Sequence, residues 1–320
     1  MSASRQTQRP DVSTAVTVDP SIPVALVLGS GGARGLAHIG VIRALLDDGG
    51  YRIHSITGSS IGALIGGLYA AGKLDAYTDW VCGLSRSDVW ALMDFSFTRR
   101  GLIEGERLMK KLAELVGDAR IETLPLPFTA VASDIRRRRE VWLNEGSLFE
   151  AIRASIAVPG LFTPLERRGV TLVDGGLLSP LPIAPSLRHG TERIVAVSLN
   201  GPPLPRARND PQANGAHTQT PRTALQRWIE RTRDSLGLAR GSDEPSDDAF
   251  DIISRSLEAM QDRITRYQIA AYRPDILVEI PANACGLLDF HCAERMIALG
   301  HARARAALQR AREAIPGVGF

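Results

Sequence analysis

The chain has 320 residues, 44% of them hydrophobic, and a formal charge of +3, enough apolar material for one large domain or two smaller ones. Its three cysteines, Cys82, Cys285 and Cys292, do not make a disulfide framework and contain no CxxC pair, which argues against a cysteine zinc site and thioredoxin-type redox chemistry and points to a reducing compartment. The charge is too mild to argue for a nucleic-acid partner. Arginine greatly outnumbers lysine, which occurs only at Lys73, Lys110 and Lys111, a bias that fits either codon usage or a preference for anionic surfaces.

Residues 1–20 are polar and lack an apolar signal core, so they read as a flexible tail and not a secretory leader. No uncharged apolar run is long enough to span a bilayer. "IPVALVLGSGG" is a short apolar run ending in glycines, the pattern of a buried parallel strand. "ARGLAHIGVIRALLDDG" follows with helical spacing. "YRIHSITG" is the next strand and "SIGALIGGLYAAG" the next helix. This β-α-β-α start predicts an α/β sheet covered on both faces. Residues 74–120 read as mainly helical, with Trp80, Trp90, Phe95 and Phe97 as candidates for an acyl pocket or for plain core. "PFTAVASDI" and "REVWLNEG" are strands joined by a turn at Arg136–Arg139, and "SLFEAIRASIAVPGLF" is a helix stopped by Pro159-Gly160. "GVTLVDGGLLSPLPI" is a strand entering a glycine turn, and "RIVAVSLN" is another apolar strand. Residues 201–248 read as a mobile, Pro-rich insertion. It contains a segment at 223–238 whose Leu225, Trp228 and Ile229 oppose Arg227, Arg231 and Arg233, a pattern suited to a membrane interface. A long helix from Ala249 to Tyr272, the strand "PDILVEI" and a C-terminal helix complete a domain over 21–315.

Two glycine turns carry the chemistry. Gly29-Ser30-Gly31-Gly32-Ala33-Arg34-Gly35 lies between the first strand and helix. It is not a dinucleotide fingerprint, because Arg34 stands at the third glycine position and no acid ends the second strand. It lacks the Lys-Ser/Thr of a P-loop. Backbone N–H groups at a helix start nevertheless suit an anion, either a phosphate or a transient oxyanion. The second turn, Gly58-Ser59-Ser60-Ile61-Gly62, fits G-x-S-x-G in a strand–turn–helix context, with Ser60 at the nucleophile position. None of the six histidines stands at a strand end with turn punctuation around it. Asp174 does, ahead of Gly175 and Gly176. Burial would raise its pKa and make it a better base; alternatively it caps a turn, as Asp-Gly often does.

"GSGGARGLAHIGV", "GSSIG" and "DGG", in this order, resemble the patatin-like phospholipase family, nearest its bacterial branch related to neuropathy-target-esterase-type lysophospholipases. The likeness extends over most of 22–200 and resumes in "RPDILVEI" and "LLDF". It implies a three-layer α/β/α fold with a mainly parallel central sheet, and a serine acyl hydrolase working by a Ser–Asp dyad. By motif, Ser60 is then the nucleophile and Asp174 the base. Gly31, Gly32 and Ala33 form the oxyanion hole, with Arg34, Gly58, Gly62, Gly175 and Gly176 in support. Ser30 stands where the family loop often has a further glycine. The implied substrates are fatty acyl esters of phospholipids or lysophospholipids, with no metal and no other cofactor. The implied location is cytoplasmic, peripheral at the inner membrane surface. An acyltransferase or general carboxylesterase with the same dyad, and a non-catalytic lipid-binding module, are the competing readings.

Overall fold

The computed structural model describes residues 21–92, 105–159, 161–191, 193–205 and 249–313. The expected tail, the insertion from 206 to 248 with its Trp228 segment, and Phe95 and Phe97 lie outside the described residues.

The chain begins with β1 (Ile22–Leu28), a 3-10 turn at Gly32–Leu36, α1 (Ala37–Asp48), β2 (Tyr51–Ser59) and α2 (Ile61–Ala70). Two βα units were legible here because β1 is a continuous apolar run, β2 carries Tyr51, Ile53 and Ile56 ahead of a glycine, and both helices start at glycine turns. The first helix differs in detail: its expected opening turn, from Ala33, is wound as a 3-10 helix. Three short helices follow, α3 (Leu74–Cys82), α4 (Arg86–Leu92) and α5 (Glu106–Val116). Next come the hairpin β3 (Phe128–Asp134) and β4 (Arg139–Leu143), then α6 (Leu148–Ser155). Ser147 caps α6 by accepting the Glu150 N–H at 3.3 Å. The helix stops three residues before the expected breaker, since Ile156 already leaves helical geometry. β5 (Leu165–Arg167), β6 (Val170–Asp174), α7 (Ile183–Ser186), β7 (Arg193–Gly201), α8 (Ala249–Tyr272), β8 (Ile276–Pro281) and α9 (Ala293–Glu313) complete the described chain.

All eight strands form one sheet, ordered β5-β6-β3-β2-β1-β7-β8, with β4 paired to β3. The five-strand run from β3 to β8 is parallel, while β4, β5 and β6 are joined antiparallel at one end. The sheet is mixed but mostly parallel, as expected. One face packs its Val24, Leu26 and Leu28 side under α1, α2, α6 and α9. The other face carries Val27 and Ala196 under α7 and α8, with Leu181, Ile183 and Ile269 in contact. This gives helix, sheet and helix layers, with both sheet faces removed from water.

Outer helix α9 approaches α1 closely because glycines open both surfaces. A Cβ at Gly40 would lie 1.9 Å from the Ile297 carbonyl oxygen, and one at Gly300 would lie 2.0 Å from that of Ala37. The last strands and α9 therefore close over the first βα unit, which positions the segment after β8 above the Gly29–Gly35 turn.

Candidate active site

Ser60 and Asp174 are 114 residues apart in sequence, yet the Ser60 hydroxyl donates to Asp174 Oδ2 at 2.5 Å. Strand register explains how. β4 occupies one edge of β3 from Ala130 to Asp134. β2 and β6 must then share the opposite edge. β2 runs parallel to β3 and ends with Ser59 opposite Val131. β6 runs the other way and ends with Asp174 opposite Ala132. The two strands meet head to head along β3, and the next residue beyond β2 is Ser60. Asp174 was expected at a strand end. It is at a strand end, but its strand is antiparallel and arrives from beyond the rim.

Ser60 has φ 56° and ψ −125°, a left-hand φ that a side-chain-bearing residue adopts at a cost. The surroundings impose it. The Ser60 N–H donates to Ser155 Oγ at 2.9 Å, and the Ser155 hydroxyl donates to the Val131 carbonyl at 2.6 Å. Ser155 thus ties the elbow to β3. Its sequence context, "AIRASIAVPG", offered no sign of this role, because the contact spans 95 residues. The glycines around the elbow sit where a Cβ cannot fit: at Gly58 it would be 2.4 Å from the Gly62 carbonyl, and at Gly62 it would be 2.2 Å from the Leu28 carbonyl oxygen. Gly175 and Gly176 are similar, their Cβ positions falling 2.0 Å from the Val131 oxygen and 2.2 Å from Ser30 Oγ.

Asp174 is 4% exposed and Ser60 is 6% exposed. The second carboxylate oxygen, Oδ1, accepts the Gly176 N–H at 2.7 Å. Burial raises the Asp174 pKa to about 7, against the opposing pull of the Ser60 and Gly176 hydrogen bonds. The carboxylate both caps its turn and contacts the serine, so the two sequence readings of Asp174 coexist.

The Gly29–Gly35 turn lies beside this pair and lines the same cavity through Ser30, Gly31, Gly32 and Arg34. Gly32 has φ +58°. Among the described residues, the N–H groups of Gly31, Gly32 and Ile61 donate to no other atom. Ala33 is different: its N–H donates to the Leu287 carbonyl at 2.9 Å. The expectation that Ala33 contributes a donor is corrected by that bond. Ile61, the first residue of α2, was not singled out, although its position directly after the serine is the usual place for such a donor. The Arg34 side chain is buried and turned away from an ionic role. Its Nε donates to the Gly31 carbonyl at 3.2 Å and its guanidinium to the Ala282 carbonyl at 2.5 Å. It clamps the loop to the end of β8, with the Gly31 carbonyl held back and its N–H left unspent. His38 supports the same turn from beneath, its Nε2 2.9 Å from the Gly29 carbonyl. Burial lowers its pKa to about 4, so the ring is neutral near pH 7 and Nε2–H is the donor.

A cavity of about 430 Å³ opens from the Ser60–Asp174 pair. Its walls are largely apolar and include Leu64, Tyr77, Trp80, Leu112, Phe162 and Leu287. Of the expected pocket aromatics, Trp80 is part of the wall and Trp90 is 43% exposed outside it. The volume is in the range of small-molecule sites. Among the described residues no group of His, Cys, Asp and Glu is arranged to hold a metal ion, and no helix is long and apolar enough to cross a membrane.

Comparison with known proteins bears on this arrangement. Residues 26–187 match the model of the family described as patatin-like phospholipase. An NTE family protein of Mycobacterium tuberculosis is 36% identical over 329 aligned positions, covering 89% of this chain and 91% of that protein. Lysophospholipase nte1 of Emericella nidulans is 32% identical, covering 64% of this chain but 13% of its own length. Human patatin-like phospholipase domain-containing protein 6 is 31% identical, covering 61% of this chain and 14% of its own length.

Proposed function

Because the chain belongs to the patatin-like phospholipase family and is a carboxylic ester hydrolase, we propose that it cleaves fatty acyl esters of phospholipids or lysophospholipids with Ser60 and Asp174 as its catalytic pair. The observation that carries this reading is the direct 2.5 Å hydrogen bond between them at the end of an apolar cavity.

The proposed chemistry runs in two halves. The acyl chain lies in the cavity with its ester carbonyl over Ser60. Oγ attacks the carbonyl carbon as its proton passes to Asp174 Oδ2. The carbonyl oxygen becomes an oxyanion held by the N–H groups of Gly31, Gly32 and Ile61, three residues that line the cavity with N–H groups not spent on other bonds. The intermediate collapses, the C–O bond to the leaving alcohol breaks, and Asp174 returns the proton to that alcohol. Water then attacks the acyl-serine, giving its proton to Asp174, and the fatty acid departs as Ser60 is restored. A carboxylate poised near pKa 7 suits both directions of transfer, whereas an ordinary aspartate would be too weak a base. No third residue is required, because the Gly176 N–H already orients the carboxylate.

Hydrolysis of monomeric p-nitrophenyl esters of increasing acyl length tests the reading. Each methylene buried in the cavity is worth about 0.8 kcal/mol, so kcat/KM is expected to rise about three- to fourfold per carbon until the cavity is filled. Acetate cleaved as well as long-chain esters would sink the acyl-cavity assignment.

A further inference from the structure

Two β-hairpin tips lie side by side beyond the sheet rim that carries Ser60. The first joins β3 to β4 and holds Arg136, Arg137 and Arg138, with Arg139 opening β4. The second joins β5 to β6 and holds Arg168 and Gly169, with Arg167 closing β5. Their adjacency follows from register. Asp134, the last residue of β3, pairs antiparallel with Leu172, two residues from the start of β6, so the two turns leave the sheet at the same end of neighbouring strands. Ser59 pairs with Val131, three residues short of Asp134, so both tips reach past the nucleophile along the strand direction.

This edge is net positive, with Arg136, Arg137, Arg138, Arg139, Arg167 and Arg168 set against Asp134, Glu140 and Glu166. Arg137 and Arg139 share buried Asp134 at 3.2 and 3.8 Å. Glu140 is engaged by the Trp142 indole N–H and Glu166 by the Thr171 hydroxyl. Arg136, Arg138 and Arg168 are exposed and, among the described residues, make no ion pair. Ile135 stands 48% exposed at the base of the first tip. Arg138 and Arg168 have φ 54° and 48°, conformations that favour glycine or asparagine. Arginine occupies both sites although other residues would form the turns more easily.

We propose that the paired hairpin tips dock the protein on an anionic lipid surface, with Arg136, Arg138 and Arg168 facing the headgroups and Ile135 entering between them. The proposal rests on the lipid-ester reading for its choice of partner. Exposed basic side chains at two turn tips with one exposed apolar residue, on the rim that bears the nucleophile, fit a bilayer better than a small anion, which is bound by buried, convergent donors. Attraction of basic side chains to an anionic leaflet strengthens binding about fivefold each and is screened by salt.

The test is co-sedimentation with vesicles of phosphatidylcholine alone and of an equimolar mixture of phosphatidylcholine and phosphatidylglycerol. Wild type is compared with the combined variant Arg136→Gln, Arg138→Asn, Arg168→Asn, whose asparagines suit the left-handed turn positions. Wild type is expected to bind the mixed vesicles selectively and to be released by salt, and the variant to bind them about 10²-fold more weakly. Hydrolysis of a monomeric p-nitrophenyl ester is expected to be the same in both, which shows the variant folded. Equal binding of the two proteins to mixed vesicles, or no preference of wild type for the anionic mixture, overturns the proposal. Loss of ester hydrolysis in wild type itself would instead count against the enzymatic reading, so the two failures are distinguishable.

Discussion

Asp174→Asn is expected to fold, to lose ester hydrolysis by about 10²–10⁴-fold, and to be more stable than wild type at alkaline pH. The activity term follows from removing the group that takes the Ser60 proton at 2.5 Å; general-base catalysis contributes about 10²–10⁴-fold, and among the described residues no histidine lines the cavity. The amide keeps the local bonds: its oxygen accepts the Gly176 N–H and its nitrogen donates to Ser60 Oγ. The stability term follows from linkage. The Asp174 pKa is raised from 3.8 to about 7 by burial, so the folded state holds this proton more tightly than the unfolded chain. Its contribution is therefore fully present below pH 3.8 and is lost as pH rises through about 7. Asparagine does not titrate, so the Tm difference should open over that interval and level off above it. Wild-type kcat/KM should rise with pH through the same region, as Asp174 ionises. A variant that is inactive but no more stable at pH 8 would place the carboxylate's charge somewhere better solvated than the structure has it.

Gly62→Ala is expected to cost about 3 kcal/mol or more, at the upper end of what overpacking costs. The added Cβ would fall 2.2 Å from the Leu28 oxygen, 2.6 Å from its carbonyl carbon and 2.8 Å from the Gly29 oxygen. All three are backbone atoms, so no rotamer change can relieve the contact. Either α2 moves away from β1 or the end of β1 moves, and that end begins the turn that carries Gly31 and Gly32. Activity should therefore fall together with stability. Gly72→Asn is the matched control. Gly72 has φ +67° with nothing within 4 Å of a Cβ, and asparagine tolerates that conformation, so its cost should stay under about 1 kcal/mol. Chemical denaturation of both variants beside wild type measures the contrast. A Gly62→Ala protein as stable as Gly72→Asn would mean that α2 packs less closely on β1 than described.

Local pattern revealed the parts of this molecule that depend on neighbours in sequence. The strand–turn–helix around Ser60 and the glycine turn at 29–35 were legible because apolar runs, glycine spacing and helical periodicity all change at the same residues. The proximity of Asp174 to the serine was legible only as motif order and family likeness. What creates it is the sharing of one edge of β3 by two opposed strands, and strand direction leaves no mark in an alternating apolar segment such as "VTLVD". The same limit hid Ser155, whose hydroxyl acts on a residue far away in the chain. It also hid the segment after β8, where the Leu287 carbonyl takes the Ala33 N–H and the Ala282 carbonyl takes the Arg34 guanidinium. Arg34 had a motif position but no visible task, because one of its two partners, the Ala282 carbonyl, lies just past the last strand of the sheet.

The measurement that tests the central claim most directly is labelling with an alkyl fluorophosphonate followed by peptide mass mapping. The reagent is attacked at phosphorus by an activated hydroxyl with loss of fluoride, so it reports the nucleophile itself, whatever the natural lipid. The account predicts one adduct, on Ser60, with ester hydrolysis abolished in proportion to labelling and labelling greatly slowed in Asp174→Asn. An adduct on another residue, or full hydrolysis by a Ser60→Ala protein, would contradict it.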